Sequence, residues 1–158
     1  MHLHKYEKIW LVFGVTCLVV FLTVVGVSAF TDNHHTPAGG IEHIDPEKVK
    51  ETAPFDNPGV TQLDDDTYQV AIIAMAFGYE GPELKVPVGK EIIFKVTSTD
   101  VVHSFTIDDT KVNMMVVPGQ VTTKSYTFDE PGNYLIVCNE YCGAGHHFMF
   151  TEIEVTEQ

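Results

Sequence analysis

The sequence predicts an all-β Greek-key sandwich or small barrel that follows one N-terminal transmembrane α-helix. Two observations predict this fold class. An uncharged apolar run near the N-terminus has the length of a membrane span, and the later part of the chain consists of short β-rich runs separated by Pro-Gly turns. With 158 residues, the chain has room for one compact domain beside the helix.

The membrane helix is predicted from the run Trp10–Phe30, which carries no charge over 21 residues. As an α-helix this run spans about 32 Å, enough to cross the hydrocarbon core of a bilayer. A cleaved signal peptide is the alternative, but its apolar region is about 7–15 residues long and ends in small residues, unlike Val27-Ser28-Ala29-Phe30. We therefore expect a cytoplasmic tail at residues 1–8 and a transmembrane helix at residues 9–30.

The charges beside the helix predict its orientation. Lys5 and Lys8 precede it, whereas residues 31–47 contain no Lys or Arg. Because positive flanks stay on the cytoplasmic side, we expect a single-pass protein of the plasma membrane with a cytoplasmic N-terminus. The remaining domain would then be extracytoplasmic.

The part beyond the helix is acidic. Without Glu7, Lys5 and Lys8, the chain keeps 21 acidic and 7 basic side chains, a net charge of −14. Nucleic acid and anionic membrane surfaces are therefore excluded as favoured partners, and a cationic protein partner is favoured. The same charge would also serve simply to keep the domain soluble.

Two regions are predicted beyond the helix. Residues 31–67 are rich in Pro, Gly, Asp and Asn and predict a tether, with a short helix over residues 46–52 where Asp45 precedes a proline. Residues 68–158 predict the β-domain. Its expected strands are YQVAIIAMAF, LKVPVG, EIIFKVTS, HSFTI, VNMMVV, VTTKSYTF, NYLIVC and FTEIEV.

The stretch CNEYCGAGHHFM, from Cys138 to Met149, contains two cysteines, two histidines and a methionine within twelve residues. Outside the cytoplasm, its two cysteines alone would suggest a disulfide. Thiolates and a thioether beside imidazole, however, are a ligand set for copper, and methionine is not among the usual ligands of zinc. The loop therefore predicts a copper site.

A further histidine is available from an earlier strand. His103 opens the predicted strand HSFTI after a polar corner, so it can reach the same end of the sandwich as the loop. A lone strand histidine is more often a core residue, but the neighbouring loop makes His103 a candidate ligand. Because the loop has two cysteines, both sulfurs could bridge two copper ions.

With these residues in view, CNEYCGAGHHFM and the upstream GPELKVPVGKEIIFKVTSTDVVHSF resemble the dinuclear copper A motif of cytochrome c oxidase subunit II. The resemblance covers nearly the whole chain and implies a cupredoxin-like sandwich holding two copper ions. The two cysteines would bridge the ions. His103 and Met149 would complete the ligands of one copper, and His146 and the Glu140 carbonyl would complete those of the other. The implied ligands are His103, Cys138, the backbone carbonyl of Glu140, Cys142, His146 and Met149.

Two departures from the commonest family pattern resemble the B-type, ba-like haem–copper oxidases. The chain has one membrane helix instead of two, and its single tryptophan is Trp10, so a Trp-rich donor segment is missing. The stretch at residues 76–81, AFGYEG, occupies that position. Phe77 and Tyr79 could form an aromatic patch there, although Phe77 could equally pack in a strand end.

The resemblance implies the electron-accepting subunit of an oxidoreductase and translocase. It would take electrons from cytochrome c and pass them to haem in the catalytic subunit I, where oxygen is reduced. The alternatives are a membrane-tethered copper-binding or copper-delivery protein, and a structural domain with a disulfide between Cys138 and Cys142.

Overall fold

The computed structural model describes residues 4–31 and 42–157, and the chain divides into two units, residues 1–38 and 39–158. The first contains one long apolar helix and the second is all-β. The predicted fold class is thus confirmed.

Helix α1, Lys5–Thr31, exposes its apolar side chains along its length. By length and composition, Lys5–Ser28 could cross a membrane. The hydroxyls of Thr16 and Thr23 donate to backbone carbonyls one turn earlier, at 2.8 and 2.7 Å. These polar side chains are therefore satisfied without water, as a lipid environment requires.

The second unit is a two-layered β-sandwich. The strands are β1 Glu42–His43, β2 Gly59–Gln62, β3 Thr67–Met75, β4 Gly78–Glu80, β5 Leu84–Pro87, β6 Glu91–Ser98, β7 His103–Ile107, β8 Asn113–Val116, β9 Gln120–Thr127, β10 Gly132–Val137 and β11 Phe150–Thr156. One sheet has the order β1-β9-β6-β3-β2, with β4 paired to β3, and the other has the order β5-β11-β10-β7-β8. The pairs β3–β6 and β5–β11 are parallel. Each of the eight predicted β-rich runs overlaps one of these strands, with four strands extending one residue beyond the predicted run.

The main core lies between the two sheets and includes aromatic rings from both. The Phe94 ring on β6 lies 5.5 Å from that of Phe105 on β7 and 6.5 Å from that of Phe128. All three residues are almost fully buried. Because β7 carries His103 at its start, this packing fixes the strand that presents the predicted ligand.

The structure differs from the expected tether at residues 31–67. Residues 32–41 lie outside the described residues, but β1 and β2 belong to the first sheet, and the expected helix at 46–52 is only a short 3₁₀ helix, Val49–Glu51. Ile44, Val49 and Phe55 pack in a second buried cluster. The Pro, Gly and Asp residues form the turns between these apolar anchors, so a turn-rich composition here accompanies a packed segment and not a free one.

This second cluster covers the outer face of the first sheet. On β3, Ala71 and Ile73 face it, while Val70, Ile72 and Ala74 face the main core. Since both faces of β3 are covered, its sequence is a continuous apolar run instead of an alternating one.

Candidate metal centre

The cysteine- and histidine-rich loop joins β10 to β11. The ladder between these strands runs as far as the pair Val137 and Phe150, and the Cys138 N–H then donates to the Met149 carbonyl at 3.2 Å. The two ends of the loop are therefore fixed by backbone hydrogen bonds. Near its second end, the 3₁₀ helix His146–Phe148 turns the chain back towards β11.

The predicted ligand side chains meet at this end of the sandwich. The ligand atoms of His103, Cys138 and Cys142 lie within 4.8 Å of one another, and all three residues are buried. Within residues 4–31 and 42–157, no other group of three or more His, Cys, Asp or Glu residues is close enough to hold a metal ion. The Cys142 Sγ also lies 3.6 Å from His146 Nδ1 and 3.6 Å from the Met149 Sδ.

The two thiols are free and face different donors. The Cys138 Sγ lies 3.2 Å from the backbone carbonyl oxygen of Glu140, and no disulfide joins Cys138 to Cys142. Burial raises the pKa of the Cys142 thiol, and the neighbouring Cys138 raises it further. Without a cation, this site therefore favours the protonated form of Cys142, and a metal would displace that proton.

The adjacent histidines of the loop lie in different environments. His146 is half-buried and faces Cys142, whereas His147 is exposed, with its ring centroid 3.9 Å from that of Phe148. The 3₁₀ turn separates the two imidazoles, so only the first points into the thiol cluster.

Asp100 orients His103 and was not among the predicted site residues. Its Oδ1 lies 2.8 Å from His103 Nε2, while among the described residues His103 Nδ1 is buried without a hydrogen-bond partner. Partial burial tends to raise the pKa of Asp100, but the His103 ring and the N–H groups of Val101 and Ala76 outweigh burial and lower it. The ionised carboxylate can hold Nε2–H and leave Nδ1 free for a metal. The signal in the sequence was an aspartate three residues before the histidine.

Phe77, in the turn between β3 and β4, lies over two glycines of the loop. Its φ is +72°, and 45% of its surface is exposed. A Cβ added at Gly145 would lie 2.5 Å from a carbon of its ring, and one at Gly143 would lie 3.1 Å away. Gly145 leaves no room for a Cβ beside the ring, and Gly143 favours glycine because its φ is +131°. Tyr79, expected to share a patch with Phe77, instead donates its hydroxyl to the Ser104 carbonyl at 2.6 Å.

Comparison with known proteins identifies the family. Residues 66–156 match the family model for the periplasmic domain of cytochrome c oxidase subunit II. A cytochrome c oxidase subunit 2 from Thermus thermophilus is 44% identical over 158 residues, covering 96% of this chain and 92% of that protein. The chain belongs to the cytochrome c oxidase subunit II family. The predicted resemblance is confirmed.

Two further matches extend over most of the chain. A second subunit 2 sequence from Thermus thermophilus is 45% identical over 135 residues, covering 82% of this chain and all of that protein. A chain in a solved haem–copper terminal oxidase dimer matches with a TM-score of 0.72 at 29% identity, covering 96% of this chain and 100% of that chain. As a subunit II, the chain is part of a haem–copper cytochrome c oxidase, an oxidoreductase complex. One apolar helix and a periplasmic domain fit a single-pass membrane protein.

Proposed function

We propose that the chain holds a dinuclear copper A centre, accepts electrons from cytochrome c and passes them to haem in subunit I of the oxidase. The convergence of His103, Cys138 and Cys142 within 4.8 Å carries this proposal. The contacts of Cys142 with His146 and Met149 support it further. Oxygen reduction is assigned to subunit I, not to this chain.

The donor set fits two bridged copper ions. Cys138 and Cys142 would bridge them, with His103 Nδ1 and Met149 on one ion and His146 and the Glu140 carbonyl on the other. Copper bound by soft thiolates stores and releases one electron, and sharing it over two ions limits the change in geometry. The buried, unpartnered Nδ1 of His103 supports this fit because it is a donor atom that the protein leaves unsatisfied.

The burial of the donors favours electron transfer over copper delivery. His103 is 0% exposed, Met149 is 2% exposed, and Cys138 and Cys142 are 7% and 8% exposed. A delivery protein must release its metal to a partner, which needs accessible ligands. A closed site with a prearranged backbone instead suits a metal that stays in place while electrons pass.

The membrane arrangement follows the sequence prediction. We propose that α1 anchors the protein, with residues 1–8 in the cytoplasm and the copper domain outside. Protease added to intact, right-side-out membranes would then degrade the β-domain and leave the N-terminal tail protected. Protection of the β-domain would contradict this orientation.

We propose apolar docking of the cytochrome c donor. Exposed aromatic side chains lie in the loop and next to it, although the domain is acidic overall: Phe77, Tyr141, Phe148 and Phe150 are 45%, 80%, 67% and 59% exposed. Apolar contact predicts a reduction rate that changes little with salt, and a slower rate in Phe77→Ala. A steep fall of the rate with salt, with Phe77→Ala unaffected, would favour charge steering instead.

Copper loading of the full-length chain in detergent tests the proposed function. We expect two copper ions per chain and a paramagnetic resonance spectrum in which one electron is shared equally by two copper nuclei. A spectrum from a single copper nucleus, with one ion per chain, would contradict the dinuclear centre.

A further inference from the structure

We propose that Ser104 is a positioning residue of the metal centre: its hydroxyl fixes the peptide group that follows Cys138 and so directs this thiol towards the other donors. The inference rests on the proposed copper function. Ser104 is not itself a proposed ligand.

The strand register places Ser104 opposite the start of the ligand loop. Strands β7 and β10 pair Ile107 with Ile136 and Thr106 with Val137. Continuing this antiparallel register would bring Asn139 opposite Ser104. There the Asn139 N–H donates at 2.6 Å to the side-chain hydroxyl of Ser104 instead of to a backbone carbonyl. The serine hydroxyl therefore replaces a backbone carbonyl as the acceptor where the ladder ends, and the loop separates from the sheet at this point.

This hydrogen bond fixes the peptide group on the C-terminal side of Cys138. The Cys138 N–H already donates to the Met149 carbonyl, so the peptide before its Cα is tied to the residue that precedes β11. The next N–H along the chain, that of Asn139, is tied to β7 through Ser104. With both flanking peptide groups fixed, the Cα–Cβ direction of Cys138 is fixed too, and its Sγ faces the Glu140 carbonyl at 3.2 Å.

Ser104 is itself immobilised. It is 1% exposed, although Thr106, two residues on and on the same face of the strand, is half-buried. From the other side, the Tyr79 hydroxyl donates to the Ser104 carbonyl at 2.6 Å. Burial raises the pKa of Tyr79, and Cys138 and Cys142 add to the rise, so Tyr79 stays a hydrogen-bond donor. His103, the residue before Ser104, lies within the thiol cluster.

Removal of the hydroxyl should therefore loosen the centre. In Ser104→Ala, the Asn139 N–H loses the acceptor that ties it to β7, and because Asn139 is exposed, water can replace that acceptor. The peptide is then no longer held against β7 and can rotate towards solvent, and this rotation moves the Cys138 Sγ away from its position. Loss of a group that orients a metal ligand weakens metal affinity by about 10- to 100-fold.

Thr106→Ala is the matched control. Thr106 Oγ1 donates to Asn113 Oδ1 at 3.0 Å, so this variant also removes one hydroxyl hydrogen bond from β7 but does not touch the loop. Ser104→Thr keeps the hydroxyl and serves as the rescue variant. Tyr79→Phe, which releases only the Ser104 carbonyl, provides a milder perturbation if Ser104→Ala does not fold.

Two measurements on the full-length chain in detergent test the inference. Hydrogen exchange of the copper-free protein, followed by mass spectrometry over residues 138–140, should become about tenfold faster in Ser104→Ala and stay unchanged in Thr106→Ala. Copper affinity, measured by competition with a chelator, should fall about 10- to 100-fold in Ser104→Ala only. Ser104→Thr should recover both values, and Tyr79→Phe should change them in the same direction by less.

The outcomes separate this inference from the proposed function. If the wild-type chain binds no copper pair, the proposed function is overturned, whatever the exchange shows. If the wild type binds the pair but Ser104→Ala leaves exchange and affinity unchanged, or Thr106→Ala weakens them equally, the positioning role of Ser104 is overturned. Where Ser104→Ala does not fold, unchanged values in Tyr79→Phe overturn it.

Discussion

Two irregular segments pack on the same sandwich with opposite chemistry. The N-terminal cover, residues 44–58 between β1 and β2, buries Val49 and Phe55 to 1% exposure against the first sheet. The ligand loop, residues 138–149 between β10 and β11, instead buries thiols and a thioether around His103. One segment thus hides apolar surface, and the other hides donors.

The N-terminal cover serves stability, and the ligand loop serves function. Apolar side chains leave no hydrogen bond unsatisfied when they are buried, so the cover contributes stability through the area it removes from water. The ligand loop, together with His103 on β7, keeps a thiol with a raised pKa and an unpartnered imidazole nitrogen out of water, which is unfavourable until a cation binds. Substitutions in the two segments should therefore affect different measurements.

The largest expected effect is on the metal. Cys142→Ser replaces a soft thiolate, proposed to bridge the two ions, by a hard hydroxyl and should abolish the proposed two-copper centre, while the unfolding transition of the copper-free chain changes little. Copper analysis and paramagnetic resonance measure the first, and thermal unfolding the second. Cys17→Ser, in the exposed helix, is the control and should bind copper normally. A shared-electron signal surviving in Cys142→Ser would refute the bridging role.

Phe55→Ala should show the converse pattern. Truncating this buried ring in the N-terminal cover should lower the free energy of unfolding by about 3–5 kcal/mol, measured by denaturant titration. The copper signal of the folded fraction should stay the same. Leu63→Ala, at a 53% exposed position nearby, should cost far less. Equal losses in both variants would mean that the cover does not stabilise the sandwich.

Gly145→Ala tests the contact between the ligand loop and Phe77. The new Cβ would meet the Phe77 ring at 2.5 Å, so we expect a loss of about 1–3 kcal/mol in unfolding free energy. Gly78→Ala, with nothing within 4 Å of its Cβ, is the control. Adding Phe77→Ala to Gly145→Ala should restore part of the loss. If it restores nothing, the ring does not set the need for glycine.

The smallest effect is expected at Glu140. Because the proposed donor is its backbone carbonyl, Glu140→Gln should retain both copper ions and change the reduction potential only slightly. Copper content and a redox titration of the loaded protein measure this, with the wild-type chain as reference. Loss of copper in Glu140→Gln would show that the carboxylate itself takes part.

The sequence predicted the long strands and the ligand loop because both signals are local. Strands such as β3 and β6 are apolar runs bounded by turn residues, and the spacing of Cys138, Cys142, His146 and Met149 lies within one loop. It did not predict β1, β2 and β4, which have two to four residues and lie among turn residues. β1 forms because the distant strand β9 is there to pair with it, and β2 and β4 form because each pairs with the long neighbouring strand β3.

One residue that supports the centre was beyond local reasoning. Ser104 acquires its role through strand register, which places it beside Asn139 in space. The composition of HSFTI gives no sign that its serine ends a ladder. Such roles become visible only once the pairing of β7 with β10 is known.

The placement of the donors also bears on how the protein folds. The β10–β11 hairpin closes over a short loop and carries both thiols, His146 and Met149, whereas β5–β11 pairing and the approach of β7 join residues far apart in the chain. Because local contacts form faster than distant ones, we expect the hairpin to form before β7 docks. The hairpin would then present the donors of the loop first, and the docking of β7 would add His103, so that completing the centre depends on the joining of distant parts of the chain.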